Sequence, residues 1–347
     1  MHRGPVGNAP DFLDPDRPDC VRLEVADAAA LGEKALARIG FPVEEARIIT
    51  DQLIDNSLCG YRFAGLPRIL AIARDAKTGA QRLPIRVVHE TPNSALVDGG
   101  NNVGYVAVYR GMEIAIAKAK AAGIASVGVY NSYFSGRNAY YLERIVEAGL
   151  IGLHTASGAP HVVPPGGRRP ALGTNPIAFG FPSSEGPVIF DIGTASLMWG
   201  EVLLSAETGE ALPADLAFDA DGNPTRDARR AAGGGVAPWG GHKGYGLSFA
   251  IQALGLLAGA ALPRGNAQDY GFLFLVVDPA LMLAGDGFAG DFAAQMSELV
   301  RSIKATPRQP GVAEIRIPSE RAFRERTRRR IEGIVIDRAV IAALETL

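Results

Sequence analysis

Cysteine is scarce: Cys20 and Cys59 are the only two in 347 residues. Two thiols are too few for a disulfide framework or a cysteine-based zinc site, so a reduced, cytoplasmic protein without a metal centre is expected. An excess of either charge is also missing, with 35 Lys+Arg against 37 Asp+Glu and a net charge of -2. Nothing there steers the chain toward nucleic acid or an anionic membrane. The first 20 residues hold four Asp, four Pro and no apolar core segment, which excludes a signal peptide and reads as a flexible extension. Long hydrophobic runs are absent apart from "GYGLSFAIQALGLLAGAALP", Gly244 to Pro263. Ser248 and Gln252 interrupt it and no basic cluster flanks it, so a buried core helix is expected rather than a membrane span.

Several chemical signatures are missing as well. No G-x-G-x-x-G directly follows a strand, and neither H-E-x-x-H nor G-x-S-x-G occurs. "GGNNVG", Gly99 to Gly104, lacks the Lys-Ser/Thr of a phosphate loop and reads as a structural turn. "DADGNPTRD" lacks the full ligand set of an EF-hand and reads as a solvated turn within a Gly-rich insertion, roughly 205–235.

What is present is a globular composition, 47% apolar and 21% charged. Three helices are expected between Ala26 and about Ala76. Gly40 and Gly60 close the first two, and Ala46, Ile49, Leu53, Ile54 and Leu58 form one apolar face. A helix ending at Gly123 leads into the β-branched "IASVGVYN", and apolar runs follow at Leu150–His154, Pro176–Phe181, Val188–Phe190 and Phe272–Val277. The C-terminal "SERAFRERTRRR" predicts a helix with Ser319 as N-cap, Ala322, Phe323 and Ile331 inside and the arginines solvated. The fold class is mixed α/β.

Three stretches point to chemistry. "PPGGRRPALGTNPIAFGFP" clusters Gly and Pro before a strand. In "PVIFDIGTAS" an apolar strand ends on Asp191, a carboxylate that either caps a neighbouring turn or is held for chemistry. In "GGHKGYGLS", His242 and Lys243 open a helix, where anions are favoured.

Taken in order, "LGTNPIAF", "FDIGTAS" and "GGHKGYG" resemble the malate/L-lactate dehydrogenase family over about Val25 to Leu347. This non-Rossmann group includes sulfolactate, ureidoglycolate and diketogulonate oxidoreductases and cyclic imino-acid reductases. The resemblance implies a homodimeric oxidoreductase using NAD or NADP on a small 2-oxo, 2-hydroxy or 2-imino carboxylate. Its fold would be a mixed-sheet cofactor domain over 96–305, with a mainly helical domain drawn from both termini, 21–95 and 306–347. By the same resemblance the cofactor would touch Pro187, Val188, Ile189, Phe190, Asp191, Ile192 and Gly193, then His242 and Lys243, then Ser319, Glu320 and Arg321. The family usually has Gly where Ser319 stands. Arg68 would bind the substrate carboxylate, for which a guanidinium fork is suited, and Thr174 would contact the substrate too.

The chain departs from the family at its proton donors. The Ser-His-Gly-x-x-Arg pattern is replaced by Phe63-Ala64-Gly65-Leu66-Pro67-Arg68, and the histidine of an Asn-x-x-His pattern by Phe134. Three explanations stand open. A replacement acid is one, with His161, Tyr61, Tyr133 and Asp191 as candidates. A protonated imine, which carries its own proton into a pocket made more apolar by Phe63, Ala64 and Phe134, is another. The third is a chain that binds nucleotide or metabolite without turnover, as a sensor or partner. Arg137 in "SGRN" reads either as a clamp for a second polar group or as a surface residue.

Overall fold

The computed structural model describes residues 19–262, 264, 266–283 and 291–347, with the backbone alone described at 207 and 208. These fall into two units: residues up to Asp75 together with Glu320–Leu347, and Ala76–Ser319. Of the extension expected over 1–20, residues 1–18 lie outside the described residues, while Cys20 already starts a strand.

In the smaller unit the strands Cys20–Leu23 and Ile334–Asp337 pair antiparallel. Around them stand the helices Val25–Arg38, Val43–Leu58, Arg68–Arg74, Glu320–Glu332 and Arg338–Glu345. The apolar face read from the sequence is the buried one: Ala46, Ile49, Leu53, Ile54 and Leu58 are all buried. The C-terminal helix differs from expectation. Ile331 is 82% exposed, whereas Arg326 reaches Asp55 at 3.0 Å and Arg329 donates to the Ser57 carbonyl at 2.8 Å. The arginines therefore supply part of the contact with helix Val43–Leu58, because a long stem can lie along apolar surface while its head finds an oxygen. Ser319, just before this helix, has φ 63°, a left-handed backbone that glycine adopts without strain.

The larger unit is built on a seven-stranded mixed sheet. Its order is Arg86–Thr91, Ser94–Val103, Ile124–Tyr133, Gly271–Val277, Ile151–Ser157, Ile177–Phe181 and Val188–Ile192. Only Ser94–Val103 and Ile124–Tyr133 run parallel, joined by the crossover helix Gly104–Ala122. The strand Arg86–Thr91 pairs with Ser94–Val103, so the ladder draws residues from 76 onward into this unit, ahead of the expected division at 95. Gly99–Val103, expected as a turn, lies in the strand; a register shift between Asp98 and Asn102 absorbs Gly100 and Asn101, both at positive φ. The insertion around 205–235 also has more structure than its glycines suggest. It holds a two-stranded pair, Ala217–Phe218 with Gly235–Val236, and a small core in which Val202, Leu212, Ala217 and Ala231 are buried with Val162 and Val236.

Helix His242–Leu257 is not the buried core helix expected from its composition. Its inner face is small and polar, with Gly244, Ser248, Ile251, Gln252 and Gly255 buried, while Phe249 is 62% and Leu257 70% exposed. Among the described residues no helix is long and apolar enough to cross a membrane. The inner face is small because the backbone lies very close to its neighbours. A Cβ on Gly244 would meet the Trp239 carbonyl at 1.9 Å, and one on Gly255 would meet Ser157 Oγ at 1.9 Å.

Candidate active site

The strand Val188–Ile192 forms one edge of the sheet, with Asp191 opposite Ala178. The Asp191 carboxylate accepts the backbone N–H of Ala139 at 2.9 Å, in the first turn of helix Asn138–Glu147. It thus caps that helix from another element and meets the dipole's positive end. Burial pushes its pKa above the usual carboxylate range, while the Ala139 amide, the Arg137 charge and the Asn138 amide pull it back. The net effect is a carboxyl held above the usual carboxylate range.

Two neighbours give this corner its character. Arg137 pairs with Glu143 at 3.4 Å, with side chains only 8% and 6% exposed, so it is an internal ion-pair member rather than a surface residue. Asn138 is 1% exposed, and among the described residues neither its Nδ2 nor its Oδ1 has a hydrogen-bond partner. A buried orphan amide is costly and marks a place where polarity serves something other than stability. Just before it, Phe134 sits at φ 54°, an uncommon strained conformation for a bulky residue, and packs edge-to-face on Tyr133 at 5.5 Å. The Tyr133 hydroxyl itself is engaged with Thr78 Oγ1 at 3.0 Å.

The "LGTNP" turn is pinned from both sides. Asn175, at φ 35°, donates to the Ser248 carbonyl at 2.9 Å and to Gln252 Oε1 at 3.0 Å. The Thr174 carbonyl accepts both the Thr194 N–H and its hydroxyl, each at 3.0 Å. The half-buried Thr174 side chain therefore has a fixed backbone, and its hydroxyl has no partner among the described residues.

Beyond Gly193 the chain borders a cavity of about 420 Å³ lined by Val163–Gly167, Ser196, Asp215, Leu216, Phe218, Ala237, Pro238, Gly240 and Gly241. Gly240 and Gly241 have positive φ and open space where a Cβ would stand, and they lead directly into the exposed His242 and Lys243. The volume lies in the range of small-molecule sites, and the glycines leave room for a ligand's backbone-close approach, so this region fits part of a dinucleotide.

His161 stacks on Trp199, with centroids 4.1 Å apart and planes 14° off parallel. Burial lowers its pKa to about 4, so at neutral pH its ring is neutral. His154, which sequence reading did not single out, is fully buried on the central sheet and stacked on Phe274 at 3.9 Å. Its pKa falls to about 3.

The smaller unit holds the remaining candidates. Phe63 and Ala64 lie in the 3-10 turn Arg62–Ala64, anchored by Asn56 Nδ2 on the Ala64 carbonyl at 2.9 Å and by an Arg62–Asp337 ion pair at 2.7 Å. Arg68 begins helix Arg68–Arg74 and is half-buried. Gly65 makes room here: a Cβ would meet Ser57 Oγ at 2.1 Å and displace that hydroxyl from the Leu53 carbonyl. The Arg321 guanidinium lies 5.6 Å from the Tyr61 ring, and its buried Nη1 has no hydrogen-bond partner among the described residues. Asp19, Cys20 and Asp337 bring a thiol and two carboxylates within 4.8 Å of one another, with Arg62 already on Asp337.

Sequence reasoning missed Asn138, Glu143 and Trp199. The first two sit on an ordinary amphipathic helix, and no spacing rule separates an orphan amide from a satisfied one.

A profile of the family described as malate/L-lactate dehydrogenase matches residues 23–345. The chain is 34% identical over 332 residues to an L-sulfolactate dehydrogenase of Methanothermobacter thermautotrophicus, covering 92% of this chain and 94% of that one. It is 35% identical over 341 residues to a Delta(1)-pyrroline-2-carboxylate reductase of Ancylobacter novellus, covering 94% and 97%. The solved structure of sulfolactate dehydrogenase from Methanocaldococcus jannaschii superposes with a TM-score of 0.80 at 31% identity, over 94% of this chain and 96% of the other. With the match running through both units and nearly end to end, this chain belongs to the malate/L-lactate dehydrogenase family.

Proposed function

We propose that this protein is a nicotinamide-dependent oxidoreductase that interconverts a small 2-oxo or 2-imino carboxylate and its reduced 2-hydroxy or amino acid. The observation that carries this reading is the family match over residues 23–345, in a chain that retains Arg68, Thr174, Asp191 and the His242-Lys243 pair together.

Arg68 holds the substrate carboxylate through its fork, and Thr174 offers its free hydroxyl to the substrate. Val188–Ile192, Gly193, His242 and Lys243 hold the cofactor, joined by Ser319, Glu320 and Arg321. When bound, the reduced nicotinamide supplies hydride. The proton goes to the heteroatom of the reacting double bond, and here the two substrate classes differ. For a ketone, Asp191 is the acid we assign, since burial raises its carboxyl pKa while His161 is unprotonated at neutral pH. For a protonated imine no acid is needed, and ionised Asp191 offsets the substrate's positive charge. The family histidines are absent in either case, with Ala64 and Phe134 in their places. The cyclic imine is the substrate we favour, because it requires least of the residues present.

A homodimer is the assembly that suits the outward apolar face of helix His242–Leu257, which water would otherwise meet at Phe249 and Leu257. Buried thiols at Cys20 and Cys59, neither in a disulfide, suit the reducing cytoplasm.

The test mixes the purified protein with NADH or NADPH and a panel of 2-oxo acids and cyclic 2-imino acids, following reduced-cofactor absorbance. Oxidation with imines alone supports the favoured substrate class, and oxidation with ketones supports Asp191 as the acid. If neither cofactor binds, the reading fails.

A further inference from the structure

This inference rests on the cofactor reading above and specifies which cofactor. Gly166 and Gly167 line one side of the 420 Å³ cavity, and Gly240 and Gly241 line another. The next two residues in sequence are Arg168-Arg169 after the first pair and His242-Lys243 after the second. All four side chains are exposed, and none makes a hydrogen bond or ion pair among the described residues. In a chain whose net charge is -2, two basic pairs that each follow cavity-lining glycines in sequence are not a by-product of general basicity.

The arginines are also placed rather than trailing. Gly222, at φ 86°, comes so close that a Cβ there would meet the Cα and Cγ of Arg168 at 3.1 Å. The Arg168 stem therefore leaves from a packed base. The acid of the same turn that could quench it is already taken: Asp219 accepts from Arg230 at 2.5 Å and from the Asp221 and Asn223 amides. Asp221 is exposed and unpaired with either arginine, and Asp215 is the one carboxylate among the residues lining the cavity. A dianionic phosphate beside paired guanidinium forks gains charge-assisted hydrogen bonds that a ribose hydroxyl cannot supply. We infer that Arg168 and Arg169 receive the 2′-phosphate of NADP(H), making this enzyme selective for NADP(H) over NAD(H). The opposite arrangement, with Asp215 accepting from the ribose hydroxyls, would favour NAD(H).

Equilibrium titration of the full-length protein with NADPH and with NADH, followed by nicotinamide fluorescence, decides between them. NADPH is expected to bind at least about tenfold more tightly, with the gap narrowing as salt rises. The double variant Arg168→Gln/Arg169→Gln should lose about tenfold or more for NADPH while NADH is unchanged. Both positions are exposed, and an unchanged circular dichroism melt confirms folding. Equal or tighter NADH binding overturns the inference, as does an equal loss for both cofactors in the variant. Weaker NADH binding in Asp215→Asn, with NADPH untouched, would point to the ribose arrangement instead. Binding of neither cofactor would remove the underlying cofactor reading, an outcome distinct from losing selectivity.

Discussion

Asp191 and Ala139, 52 residues apart, are joined by a 2.9 Å hydrogen bond from the Ala139 amide to the Asp191 carboxylate. The edge strand of the sheet is thereby tied to the start of helix Asn138–Glu147, and one side chain serves as both cap and candidate acid. Asp191→Ala should lower unfolding free energy by about 1 kcal/mol in urea titrations, the usual loss on removing a cap. Asp191→Asn keeps an acceptor and should recover most of that stability while activity stays low. Full activity in Asp191→Asn would show that the charge is not used.

The histidines set an acid limit on stability. Burial lowers the pKa of His161 from 6.5 to about 4 and that of His154 to about 3. Between those values and 6.5 the unfolded chain binds protons that the folded chain excludes, so stability rises with pH through that window and is fully present above it. For His161 this amounts to on the order of 3 kcal/mol. Asp191 has the opposite sense: its raised pKa favours the fold while the carboxyl is protonated, and that contribution fades as pH climbs through the raised value. Denaturant melts across the acid range should show a shallower slope for His161→Gln than for the parent, and an identical slope would assign the effect to His154.

The buried Asn138 carries two amide atoms without a partner among the described residues. Removing them by Asn138→Ala should leave the protein as stable or raise stability by about 1 kcal/mol, since an unmade hydrogen bond is a liability. Lower activity in a more stable variant would locate the amide's purpose in the site. A clear loss of stability would mean that a partner satisfies it.

Gly65 tests how tightly the turn before Arg68 is held. Gly65→Ala puts a methyl 2.1 Å from Ser57 Oγ, and we expect a loss of at least about 2 kcal/mol. Ser57→Ala removes the nearer atom and leaves the Ser57 Cβ at 3.3 Å, so the double variant should recover part of the loss. Additive losses would separate the two positions.

Phe249 is exposed on the apolar outer face of helix His242–Leu257. If the proposed homodimer forms through this face, Phe249→Glu should shift the protein toward monomer in light scattering with its circular dichroism spectrum intact. A parent that is already monomeric would remove the dimer proposal.

The helices of the smaller unit were legible because their apolar residues recur at three and four positions and end on Gly40 and Gly60, both at positive φ. Strands such as Val188–Ile192 were legible as short β-branched runs. Helix His242–Leu257 was misread because composition cannot tell which face of an apolar helix turns inward; here glycines and a glutamine face in. The site was legible only in part for a similar reason. Resemblance supplied Arg68, Thr174 and Asp191, whereas the Asp191–Ala139 contact, the Arg137–Glu143 pair and the orphan Asn138 depend on distances between elements that no local pattern encodes.

The seat of helix His242–Leu257 is shaped by hydrogen atoms where most helices offer methyl groups. Its axis rests against the Trp239 carbonyl and Ser157 at separations no side chain tolerates, and Asn175 locks it to the Thr174 turn. Such a helix has no neighbouring register to slip into: a step of one residue would drive a bulky side chain into backbone. His242 and Lys243 at its tip and Thr174 beside its flank are therefore gauged from one helix, the first two along its backbone and the third through the Asn175 hydrogen bonds.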